Sequence, residues 1–423
     1  MVSTVEGGSR GVRAAAQGGR AMTAEITVER LLRALGNDGT DAGVTIRALL
    51  EPLAGPGAPV KPATYAGGQY ARGKRWWDVG GERQIVETIT IDGVPSQANR
   101  CEAALEANRT RLGIPEIVLD LDGLELPPHL PRRISSYRFP HRNADAYLRD
   151  AMLDGVPFPK TPVGEAIFAA TADRSEALFE WMPHALVYGF WQSHLGKKRS
   201  QAKVARAWTS EIVGYRPADP EARVPGLKGD PLNLSVDDRA AFDENDLLGG
   251  GWELLVGRAK VGAGTKKEKL SEIGHGQVPF GDADAAPAGV SFDAVVQQAT
   301  ISFPRLRQLR IGSEEADSAG RALLAALALT AHVAAFGRAF TLRSGADLRP
   351  VETTWLWRGP GDDEPVAPLD FEAAVELLRG CVERAEAAGL PVGSRWTQEP
   401  LRLEPAPSLV KAIEATWVLP DED

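Results

Sequence analysis

Cysteine is nearly absent from this 423-residue chain, which has only Cys101 and Cys381, far apart in sequence. That excludes a small disulfide-stapled scaffold, and no Cys/His set stands at zinc-ligand spacing. Long apolar runs are missing too. The longest uncharged stretch, Ala322–Gly337 (ALLAALALTAHVAAFG), is shorter than the roughly 20 residues that span a bilayer and reads as a buried core helix. No positively charged start followed by an apolar run opens the chain, so the expectation is a reduced, cytoplasmic protein with no membrane partner. Familiar catalytic signatures are lacking, with no GxSxG elbow and no HExxH. Gly257–Lys267 (GRAKVGAGTKK) carries the glycines of a phosphate loop without its Gly-Lys-Ser/Thr ending, and no cofactor is expected.

Glycine and proline are plentiful, at 44 and 30 residues, which favours long punctuated loops over a helical bundle. The formal net charge of −9 is unevenly placed. Residues 351–423 hold 15 acidic and 6 basic side chains, whereas residues 1–350 hold 42 of each. A neutral body with local basic clusters can bind a polyanion, because salt screens charges beyond about 8–10 Å.

Three regions follow from composition and pattern. Residues 1–24 read as a disordered leader, with Met22 an alternative start; residues 25–350 form the body; residues 351–423 form an acidic segment with one helix packing on the core. Strands are expected over Val44–Leu53, Arg83–Ile91 (turning at Asp92-Gly93), Glu116–Gly123, Pro183–Ser193 and Arg338–Pro350. Helices are expected from Ser96 as N-cap, over Asn143–Leu153, over 315–337 and over Asp370–Gly389. Strands and helices are interspersed without regular βαβ spacing, which fits an α+β fold with long insertions.

Cations and aromatic rings recur together. Gln69–Trp77 (QYARGKRWW) is one aromatic-basic patch, and Tyr188–Trp208 is a longer one with no Asp or Glu. In the latter, Lys197, Lys198, Arg199, Lys203 and Arg206 would pair with phosphates, and Tyr188, Phe190, Trp191 and Trp208 supply rings. Tyr188 and Phe190 also suit packing in a sheet. Further basic loops are Lys266–Gly276, Pro304–Arg310 and Ser136–Arg142. Their spread over separate loops suits a long groove better than one small-molecule pocket. Asp120 and Asp122, two apart on a strand, suit either a shared metal or an exposed strand face. His275, between glycines, suits a lone general base or a loop contact.

The succession SQANRCE, SYRFPHRNADAYLRD, PHALVYGFWQSHLGKKRSQAKVARAWTSEIVGY, KLSEIGHGQVP, ATISFPRLRQLRIG and LAALALTAHVAAFGRAFTLRSGADL resembles the backbone RAMP protein of type I-G (formerly I-U) CRISPR effector complexes, the Cas-seven-like subunit of Cascade. The resemblance runs from about Val44 to Pro350. It implies a modified RRM-like (ferredoxin-like) core with finger- and thumb-like insertions. It also implies copies of the chain in a filament along a CRISPR RNA, presenting the spacer to a target DNA strand beside other Cascade subunits. By matching phrase, the implied RNA-binding residues are Ser96, Gln97, Asn99 and Arg100; Lys197, Lys198, Arg199, Lys203 and Arg206; Ser210; Lys269, Ser271 and His275; Arg305, Arg307, Arg343 and Ser344. Type I backbone subunits are not generally nucleases, in keeping with the missing catalytic set. The alternative is a RAMP-type ribonuclease acting through Asp120 or His275.

Overall fold

Residues 43–52 (GVTIRALLEP) alternate. Val44, Ile46, Ala48 and Leu50 are buried while Arg47 points out, so strand β1 (Gly43–Pro52) forms with one apolar face. The computed structural model describes residues 24–192, 202–218, 289–396 and 398–417, with short elements at 227–228, 239–242, 252–255, 266–273 and 278–279. Around β1 lie β2 (Arg72–Val79), β3 (Glu82–Asp92), β4 (Trp208–Pro217), β5 (Phe292–Ser302), β6 (Phe340–Thr341), β7 (Asp347–Arg358) and β8 (Asp363–Val366). They form an antiparallel sheet of order β6-β7-β1-β5-β4-β3-β2, with β8 also on β7.

Four helices matter for the core: α1 (Val28–Leu35), α2 (Val94–Ala107), α3 (Glu314–Phe336) and α4 (Phe371–Ala387). Taking β1, α2, β4, β5, α3 and β7 in chain order gives two βαβ units, with the four strands side by side as β7-β1-β5-β4. That is the ferredoxin-like, or RRM-like, arrangement, and the fold is α+β. Three insertions interrupt it: the β2–β3 hairpin, residues 108–207, and residues 218–291.

Helix α3 is the axis of the helical layer. Ser313 caps it by accepting from Ala316 N at 3.2 Å, and Glu314, Glu315 and Asp317 favour its N-terminal end. Its middle is buried on all sides between the sheet and helices α1, α2 and α4. The segment expected to be a core helix is therefore one, although the whole 23-residue helix Glu314–Phe336 would by length and composition alone allow a membrane span. Both cysteines are free and buried, and burial pushes the Cys381 thiol up to about 12.

The first insertion curls. Only Thr88–Asp92 of β3 pair with β4, so residues 72–87 form a two-stranded ribbon with β2 at its edge. From β2, Arg75 grips Glu211 of β4 at 2.5 and 2.8 Å, and Trp77 stacks on Tyr215 with centroids 4.2 Å apart. Arg47, on β1 well across the sheet, lies 5.6 Å from the Trp77 ring. The ribbon thus folds over the open face of the sheet, covering Val213, Tyr215 and Val296.

The second insertion holds a five-stranded sheet of order 133–135, 117–120, 401–405, 151–153 and 156–157. Its central strand, Leu401–Pro405, runs parallel to Ile117–Asp120 and comes from the acidic C-terminal segment. That segment also contributes most of β7, which crosses residue 350, and besides α4 it carries helices Val392–Trp396 and Pro407–Trp417. The expected helix over Asn143–Leu153 is broken into the short helix Ala146–Arg149 and the strand Ala151–Leu153. Of Pro183–Ser193, expected to be a strand, Pro183–Tyr188 is a helix with all six residues buried; among the described residues of that stretch only Phe190–Trp191 forms a strand, pairing with Lys203–Val204.

Candidate nucleic-acid interface

A bulge builds the site. Val213 pairs with Thr90 but Ile212 pairs with Asp92, which leaves Ile91 as an extra residue in β3. The bulge turns Asp92 to the helix-facing side, where α2 begins, and both Ile91 and Asp92 are fully buried. Helix α2 starts at Val94 with Gly93 as its N-cap and Pro95 in its first turn. Ser96, expected as the cap, lies instead inside that turn, and its hydroxyl donates to Asp92 Oδ1 at 2.9 Å.

Asp92 collects three further donors. Gln97 Nε2 reaches Oδ2 at 2.6 Å, Arg100 Nε reaches Oδ2 at 3.0 Å and Arg343 Nη2 reaches Oδ1 at 2.9 Å. Both guanidiniums continue to backbone carbonyls: Arg100 to Thr341 and Leu342, Arg343 to Lys61 and Ile91. Gln97 Oε1 accepts from Ser210 Oγ at 3.0 Å and from Gln297 Nε2 at 2.8 Å, carrying the network under the sheet. One carboxylate thus ties together the end of β3, the start of α2, the middle of β4 and the turn at Arg343-Ser344-Gly345. Gly345 has φ +78°, the left-handed region that favours glycine, and its carbonyl accepts from Lys61 N at 2.7 Å.

Five of the sequence-predicted residues, from three distant segments, therefore converge: Ser96, Gln97, Arg100, Ser210 and Arg343. Ser344 is exposed on the same turn and Asn99 is exposed on α2. Gln97 and Ser210 are buried with their polar atoms engaged, so they hold the site together from beneath. Arg100 and Arg343 keep 27% and 26% of their side chains exposed, so two cationic side chains reach the surface over a single buried carboxylate. Two cations on one anion leave a net positive spot, which suits phosphate.

A second group of cations stands at the start of β4. Lys203 and Arg206 are exposed, and Lys203 Nζ is 6.0 Å from the ring of the exposed Trp191. Ser302 N donates to Ala207 O at 2.8 Å, which brings the helix Phe303–Arg307 beside them. Arg305 on that helix is exposed, whereas Arg307 donates to the carbonyls of Ala34 and Asp41, both at 2.9 Å. Burial holds the Arg307 guanidinium below its ordinary value. Tyr188 and Trp208 are buried and meet edge to face at 5.5 Å, so these two rings belong to the core. Lys197, Lys198, Arg199 and His275 lie outside the described residues, as do the side chains of Lys269 and Ser271.

Behind this group, Arg142 Nε and Nη2 form a two-pronged pair with Glu102 of α2 at 2.7 and 2.8 Å, and Arg142 Nη1 reaches Gly189 O at 3.0 Å. Burial raises the Glu102 carboxyl, and Arg142 opposes that shift. Asp120 and Asp122 are both engaged: Asp120 accepts from Asp122 N at 3.0 Å, and Arg133 faces both carboxylates. Among the described residues no group of His, Cys, Asp and Glu is arranged to hold a metal.

The sequence reading missed Asp92 as a site residue. Its only signal was an Asp-Gly turn ahead of a helix, and neither its burial nor the bulge that aims it is written in the local pattern.

A ferredoxin-like core with a cationic spot beside its first helix defines a class of folds that many nucleic-acid-binding proteins share. Residues 44–217 match the family described as CRISPR-associated protein GSU0053 (Cas_GSU0053), a match that indicates a CRISPR-associated protein. The matched span runs from β1 through β4 and includes Asp92, Ser96, Gln97, Arg100 and Ser210, but not Arg343. No curated protein matches the chain.

Proposed function

We propose that this chain is a non-catalytic CRISPR RNA-binding backbone subunit of a type I-G Cascade complex. Copies line up along the guide, display the spacer to a target DNA strand, and abut other Cascade subunits. The observation that carries this reading is the convergence of Ser96, Arg100 and Arg343 on Asp92 within a ferredoxin-like core whose first half matches a CRISPR-associated family. The partly exposed Arg100 and Arg343 contact the guide backbone, and Lys203, Arg206 and Arg305 extend the cationic track. Such contacts follow phosphates and leave sequence reading to base pairing.

The test is coexpression with a CRISPR array and the partner subunits, followed by analysis of the nucleic acid that copurifies. RNA of defined length, released as salt rises, is the expected result. A complex free of RNA would overturn the reading. Cutting of RNA by the purified chain that disappears in Asp120→Ala or His275→Ala would instead support a ribonuclease.

A further inference from the structure

The curled ribbon of β2 and β3 has an outward side that the site above does not use. Its inner side, Arg75 and Trp77, is fastened to Glu211 and Tyr215. Alternation puts Lys74, Trp76 and Asp78 on the other side, paired across the ribbon with Glu87, Ile85 and Arg83. In β3 this is the side that carries Ile89 into the core, but the curl lifts the ribbon away from the helical layer. Trp76 and Ile85 stand directly opposite each other and are 57% and 58% exposed. Arg83 lies 5.7 Å from the centre of the Trp76 ring, and Lys74 and Arg72 follow on the same side. Asp78 spends its carboxylate on Gly81 N at 2.9 Å, closing the Gly80-Gly81 turn.

An exposed indole and isoleucine give up hydrophobic stabilisation unless something covers them. A ring face flanked by cations is the combination that holds a single strand, the base stacking on the ring and the phosphates following the charges. We propose that Trp76 is a stacking platform for an unpaired base of single-stranded nucleic acid, with Lys74, Arg72 and Arg83 on its phosphates. This rests on the RNA-binding reading above and extends it to a second surface. From Ile85 to Asp92 is about 23 Å along β3, so a strand seated at Arg100 and Arg343 reaches the platform within a few nucleotides.

The test is binding of labelled oligouridine and oligothymidine to the full chain, by fluorescence anisotropy at several salt concentrations. Trp76→Ala should weaken binding roughly 5- to 100-fold with little change in salt dependence, and Trp76→Phe should retain most of it. Lys74→Ala should lower the salt slope by about 1. Because Trp76 is exposed, the unfolding midpoint of Trp76→Ala should match that of the wild type. Loss confined to oligouridine assigns the platform to the guide, loss confined to oligothymidine assigns it to the target strand, and equal loss supports stacking on either. Wild-type binding that Trp76→Ala leaves untouched overturns the platform and spares the RNA-binding reading. Normal binding by Trp76→Ala with failed self-association also overturns it, assigning the pair to a protein contact. A wild-type chain that binds neither probe overturns both readings.

Discussion

Replacing Asp92 by Asn keeps the shape of the side chain and removes its charge. In the native protein the carboxylate takes four donors, two from guanidiniums and two from neutral groups. The amide presents one oxygen and one NH2, so an N–H comes to face donors where an oxygen stood, and Arg100 and Arg343 lose their common counter-charge. Removing one partner of a buried ion pair costs about 3–5 kcal/mol. The lower end applies, because both arginine side chains are partly exposed and keep their carbonyl acceptors. Urea unfolding at unchanged m-value should therefore report a loss of about 3 kcal/mol. Adding Arg343→Ala to this variant should cost less than it does in the wild type, by at least about 1 kcal/mol. A loss below about 1 kcal/mol, together with additive effects, would refute the view of Asp92 as the hub.

Three further outcomes follow from the core. Glu102→Gln strands Arg142 inside the protein and should cost about 3–5 kcal/mol, while replacing both by Met or Leu should come close to neutral in the same urea assay. Burial, helped by the nearby Arg142, depresses His184 to about 3, and burial alone depresses His332 to about 4. The unfolded chain takes up these protons near pH 6.5 and the folded one does not. Stability present above that pH is thus lost as pH falls towards 4, by about 3 kcal/mol for His332. His332→Phe, among Trp208, Phe336 and Trp355, should flatten that acid limb in midpoints taken from neutral to acid. Ending the chain at Pro350 deletes the buried Trp355 and Trp357 of β7 and all of α4, and should abolish cooperative thermal unfolding.

The strands whose faces differ in polarity were legible in the sequence, as were the two helices with clear ends. β1 alternates, α3 has an acidic start and a Gly stop, and α4 has Asp370 as cap. Pro183–Tyr188 was misread because a helix buried all round shows no period, and its valine and aromatic ring mimic a strand. The residues that converge on the site came from phrases of the resemblance. What joins them, Asp92, was invisible: a buried carboxylate in a turn signal looks like any exposed Asp-Gly. Single-sequence pattern likewise gave no hint that Arg307 would be spent on carbonyls while Arg305 stays free, since both share one short helix.

The strand Leu401–Pro405 has a consequence for how the molecule is made. It fills the centre of a sheet whose other strands come from residues 117–157. A growing chain that has emitted those strands holds two half-sheets with open edges facing each other, and nothing in between until residues 401–405 have been synthesised. Closing so long a loop is slow, and unpaired edges invite pairing with other chains. Assembly of this half of the protein therefore waits for residues 401–405, and its yield in a cell should depend on chaperone supply more than that of the hairpins and helices nearer the start.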